Sequence, residues 1–117
     1  MSLYLISIYQ PSGAPQPPQE QLDQIMADLD VINKQMQEAG VWVFAGGLDY
    51  PSTATVVTTN NGEPVLTDGP YVELKEYVGG FDIVDVEDLD AALGWARRLH
   101  EVIGLPLEVR PFFNEYK

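Results

Sequence analysis

An α+β fold, two helices laid on one sheet, is predicted by three features of this sequence. Two segments carry apolar residues every three or four positions, and each ends at a glycine. Short runs rich in β-branched and aromatic residues stand before and after each of them. Between the two halves lies a strand–turn–strand unit marked by Asn60-Asn61-Gly62. The order β-α-β, inserted β-hairpin, β-α-β is the ferredoxin-like pattern, in which each helix crosses the same sheet.

The first strand covers 3–9, Leu-Tyr-Leu-Ile-Ser-Ile-Tyr. Residues 10–18 hold four prolines and read as a loop. A helix of about 20 residues follows, with Leu22, Ile25, Met26, Leu29, Ile32 and Met36 as its stripe and Gly40 as its stop. Glu20 and Asp23 suit its positive N-terminal end. Strands are predicted over 41–48, 54–59 and 63–67, the last two forming the hairpin. Asp68-Gly69-Pro70 is a turn, and 71–77 reads equally as loop or strand. In 81–86 the alternation of Phe81, Ile83, Val84 and Val86 with Asp82 and Asp85 predicts a strand with one core face. Asp88 caps the second helix, whose stripe is Leu89, Ala92, Leu93, Ala96, Leu99 and Ile103 and whose stop is Gly104. A last strand covers 107–110 and closes at Pro111.

At 117 residues the chain is expected to form one domain over 1–117. It has no cysteine, which excludes disulfides, thiolate metal sites and a cysteine nucleophile and fits a cytoplasmic location. No apolar run approaches the roughly 20 residues of a membrane span, and the first residues show no signal peptide. Six Lys and Arg oppose 18 Asp and Glu, a net charge of −12. Such a surface repels nucleic acid and anionic membranes. The sequence calls for no metal and no cofactor. Strands 3–6 and 41–44 are apolar on both faces and need cover on both, so a homodimer joined sheet to sheet is expected.

Candidate chemistry is sparse. His100, the sole histidine, falls beside the second helical stripe and reads as a half-exposed helix residue. Asp68 reads first as a turn residue. If 73–76 is extended, Glu73 and Lys75 share one face and Leu74 and Glu76 the other. A Lys among acids is most often an exposed ion pair. Held in a cleft, it would bind an anion or serve as half of an acid–base pair. Arg110 is a second candidate for anion contact, with a salt bridge to a neighbouring acid as the plainer reading. Gly46-Gly47 and Gly79-Gly80 match no phosphate-binding signature and read as close packing or a bulge.

The stretch from Asp68-Gly69-Pro70-Tyr71 through Glu73, Lys75 and Glu76 to Gly79-Gly80-Phe81 resembles the DGPF-domain group of the YCII-related proteins, with Tyr71 in place of the Phe that gives the group its name. Ala39-Gly40-Val41, Gly47-Leu48, Ala54-Thr55-Val56, Trp95-Ala96 and Val109-Arg110-Pro111 agree with it in the same order. The resemblance implies a dimeric α+β barrel. It supplies no reaction: YCII-type proteins carry a His–Asp pair at positions near Leu29 and Leu99, both apolar here. The motif residues Asp68, Tyr71, Glu73, Lys75 and Glu76, with Arg110, are the candidate site. Three functions fit: binding of a small molecule between sheet and helices, a cofactor-free lyase or isomerase, and a protein-interaction module in sigma-factor-linked regulation.

Overall fold

The computed structural model describes residues 1–115. Along the chain run β1 (Ser2–Pro11), α1 (Gln19–Glu38), β2 (Trp42–Gly47), β3 (Thr55–Asn60), β4 (Glu63–Asp68), β5 (Glu76–Val86), α2 (Leu89–Ile103) and β6 (Leu107–Pro111). Four strands make an antiparallel sheet in the order β2-β5-β1-β6, and β3 and β4 form a separate two-stranded sheet. This is the ferredoxin-like topology with an inserted hairpin that the element order predicts.

Local chemistry accounts for most boundaries. Asp88 Oδ1 accepts from Ala91 N at 2.9 Å and caps α2. Gly104, at φ 77°, ends it with its N–H on the His100 carbonyl. Asn61 and Gly62 both take positive φ, 52° and 79°, as a two-residue type I′ turn requires. Two strands run longer than predicted. β1 continues through Gln10 to Pro11, which pairs with Glu76, so β5 starts five residues before Phe81. Proline is tolerated there because it ends the strand. Residues 71–75 belong to no strand, so the shared face expected of Glu73 and Lys75 does not form.

Both helices lie on one side of the sheet. Tyr4, Ile6, Val84 and Val86 meet Ile32 and Met36 of α1 and Ala92, Ala96 and Leu99 of α2 in one buried cluster. Small Ala92 and Ala96 let α2 approach the strands closely. Met26, placed in the stripe of α1 by spacing, is 59% exposed, and the buried part of the stripe is Ile32 and Met36, with Leu29 packed against it.

The facing of β5 differs from the sequence expectation. Cross-strand pairs Tyr4↔Val84, Ile6↔Asp82 and Ile8↔Gly80 point to the helices, while Leu5↔Ile83 and Ser7↔Phe81 point away. Asp82 is therefore inside and Phe81 and Ile83 are on the uncovered face. The reason is register: one strand has one alternation, and Val84 and Val86 take the core side. The uncovered face carries Leu3, Leu5, Phe81 and Ile83, half-buried, and Phe44, 52% exposed.

The smallest dimension of the molecule is 19 Å, one sheet plus one helix layer. Its radius of gyration, 16.4 Å, exceeds the roughly 13 Å of a compact chain this long, because the β3–β4 hairpin stands apart with Val57 and Leu66 paired and exposed. Burial rather than helical spacing decides the energetics. Leu99→Ala is expected to lower stability by about 2–5 kcal/mol in urea denaturation, and Met26→Ala to change it by less than about 0.5 kcal/mol; similar losses for both would restore Met26 to the core.

Candidate functional site

The end of the sheet where β1 leaves and β5 enters forms a cleft of about 270 Å³. Gln10 and Tyr77, opposed in the β1–β5 ladder, line it with Gly79. Gln16 reaches in from the proline-rich loop, and Leu48, Asp49 and Tyr50 form the wall after β2. The glycine leaves the space that the Gln10 side chain occupies. Gly79 is the extra residue of a bulge, since Ile8 pairs with Gly80 and Tyr9 with Val78. A Cβ at Gly79 would fall 2.5 Å from Gln10 Oε1, so any side chain there displaces Gln10.

Hydrogen bonds fix the walls. Leu48 N donates to Gly79 O at 2.9 Å, carrying the β2–β5 pairing one residue past β2. Asp49 Oδ1 accepts from Tyr50 N at 2.7 Å, and Thr53 Oγ1 donates to Tyr50 O at 2.8 Å. Gln16 Nε2 donates to Tyr50 Oη across the cleft. The loop carrying Gln16 is in turn held by Ser12, whose N donates to Lys75 O and whose Oγ donates to Leu74 O, each at 2.7 Å.

That clasp is where the predicted site residues enter. The backbone of Leu74 and Lys75 holds the proline-rich loop, while the side chains of Asp68, Tyr71, Glu73, Lys75 and Glu76 are exposed, Tyr71 by 80%. No hydrogen bond or ion pair joins these five side chains to one another, and none lines the cleft. Gly69, at φ 98°, makes the predicted turn, and its N–H bonds the Ala54 carbonyl at 2.7 Å across the base of the hairpin. Arg110 is remote from this segment. It lies opposite Leu5 on the uncovered face, with Nε and Nη2 at 3.0 and 2.5 Å from Glu108 Oε1. The hydrogen bond to Glu108 raises its already high pKa.

Asp82 is the ionisable group that sequence reasoning misplaced. It is 5% exposed on the helix side of the sheet, between Ile6 and Ala45, and its Oδ2 is sealed from solvent with no hydrogen-bond partner. Burial pushes its carboxyl up to about 6. Trp42 Nε1 and Asn33 Oδ1 are likewise buried and unpartnered. Asp82 shares its alternation with Val84 and Val86, a signal that becomes readable only once that face is known to be the core. The cleft residues Gln10, Gln16 and Tyr50 had none, because they meet only through the bulge and two loops.

A model of the YCII-related domain family matches residues 1–110. The chain belongs to the YCII-related family. An uncharacterized protein of Rhizobium meliloti (strain 1021) is 34% identical over 80 residues, 68% of this chain. The match spans 64% of that relative's length. This YCII-related chain has the α+β, ferredoxin-like topology that its sequence resemblance implies within each subunit.

Asp82 makes stability depend on pH with a definite sign. Its folded pKa, about 6, lies above the roughly 3.9 of an unfolded Asp, so between these values the folded state holds a proton that the unfolded state has lost. Stability is expected to fall as pH rises from about 4 to about 6, by roughly 2–3 kcal/mol from this group. Asp82→Asn removes that slope. Chemical denaturation across the range measures it, and a slope unchanged by the substitution contradicts the assignment.

Proposed function

We propose that the chain binds a small polar molecule in the cleft between Gln10, Gln16, Asp49, Tyr50 and Tyr77. The observation that carries this reading is the convergence of two amides, two phenols and a carboxylate on one concavity beside a glycine. Placed polar groups are what fix a ligand's orientation and specificity in a binding site. The lining has no cation, and Asp49 adds negative charge to a chain already at −12. The ligand class that suits it is neutral or cationic: a polyhydroxylated molecule, or one bearing an amine.

In this reading the Asp68–Glu76 segment of the DGPF-type domain works as a clasp. Its backbone positions the loop that closes the cleft, and its exposed side chains do not perform acid–base chemistry. Lyase or isomerase chemistry would have to draw its proton carrier from Asp49, Tyr50 or Tyr77 of the cleft itself. Asp82, whose carboxyl burial pushes up to about 6, is walled off in the interior.

The same proposal includes a homodimer. The uncovered face of the sheet presents Leu3, Leu5, Phe44, Phe81 and Ile83, an apolar patch of the sort that a second copy covers. With no cysteine to protect, the protein suits the reducing cytoplasm.

Binding is tested by NMR titration with neutral sugars, primary amines and succinate. Sugars or amines are expected to shift the Tyr77 and Gly79 amides, and Gln16→Ala to weaken that binding about tenfold, the loss of roughly one good hydrogen bond. Tighter binding of succinate, or shifts confined to other regions, would overturn the reading.

A further inference from the structure

A second concavity, about 360 Å³, lies between α2 and the edge strand β6. Its chemistry is the reverse of the first. Leu93 and Ala96 of α2 and Leu107 and Val109 of β6 give it an apolar lining, and Arg97 and His100 add polar heads. Leu107 and Val109 pair with Ile8 and Ile6 on the helix side of the sheet. The groove therefore opens away from the uncovered face and does not depend on a second copy.

Charge gives the groove its meaning. The whole chain has six Lys and Arg and one His, yet Arg97 and His100 stand three residues apart on one side of α2 and border the same apolar surface. The other arginines near by are engaged. Arg98 donates from Nη2 to Gln35 Oε1 and lies 5.0 Å from the Trp95 ring centroid, and Arg110 is bonded to Glu108. Arg97 has no hydrogen bond or ion pair with any other described residue. His100 is oriented. Its Nδ1 lies 2.8 Å from the Leu105 carbonyl, and because a carbonyl only accepts, Nδ1 carries a proton. Nε2 is left as the uncommitted nitrogen.

An unpaired guanidinium offers a carboxylate two parallel hydrogen bonds. The floor beside it offers hydrocarbon a place out of water. The volume falls within the roughly 300–1,000 Å³ of small-ligand sites. We infer that this groove binds a small amphipathic carboxylate, its anion on Arg97 beside His100 and its hydrocarbon on Ala96, Leu107 and Val109.

The groove shares no lining residue with the polar cleft. Octanoate and octan-1-ol serve as probes, followed by calorimetry and by NMR of the Ala96 methyl and the His100 ring. Octanoate is expected to bind with saturating shifts at both groups and at least tenfold more tightly than octan-1-ol. Arg97→Gln should reduce octanoate to the level of the alcohol without lowering Tm, and Arg98→Gln should leave it unchanged. Equal binding of acid and alcohol, no binding of either, shifts at Tyr77 and Gly79 instead, or an equal loss in Arg98→Gln would each overturn it.

Discussion

A sheet that is apolar on both faces, with helices on only one, is the constraint on which this structure turns. β1 and β5 place Tyr4, Ile6, Val84 and Val86 under α1 and α2. The alternation that does so sends Leu3, Leu5, Phe81 and Ile83 to the other side. One chain has one helix layer to offer, and the 19 Å thickness records it. Apolar surface of this kind is stabilised when it leaves water, at roughly 25 cal/mol per Å². The proposed homodimer follows from that term rather than from any single contact.

The same register decides where charge ends up. By fixing Val84 and Val86 in the core, it draws Asp82 inside, where the carboxyl has no partner for Oδ2 and favours its protonated form. Beyond Asp82, the bulge at Gly79 ends the regular ladder and turns Gln10 and Tyr77 into the lining of a cleft. The proline-rich loop, held by Ser12 on the Leu74 and Lys75 carbonyls, completes it. In the motif that resembles the DGPF group, it is the backbone carbonyls of Leu74 and Lys75 that meet this loop.

How much of this was legible in the sequence depends on the range of the interaction involved. Local signals read correctly: Asp88 as a cap, Gly40 and Gly104 as stops, Asn61-Gly62 as a hairpin turn. Each is decided by a residue and its near neighbours. The ferredoxin-like order followed from those signals taken together. Facing was less legible. In 81–86 polarity favoured Asp82 on the outside, but a strand with apolar residues on both faces gives no internal clue to which is buried. The two concavities were least legible. Gln10, Gln16 and Tyr50 meet across residues far apart in the chain, and Arg97 becomes notable only once Arg98 and Arg110 are seen to be engaged.

The central claim, that a second copy covers the open sheet face, is tested most directly by isotope-filtered NOE spectroscopy. The sample is an equal mixture of protein with labelled isoleucine and leucine methyl groups and unlabelled protein. The account predicts intermolecular cross-peaks from the Leu5 and Ile83 methyls to aromatic protons of the unlabelled copy. Their absence at micromolar to millimolar concentration, with tumbling that corresponds to a single 117-residue chain, would contradict it.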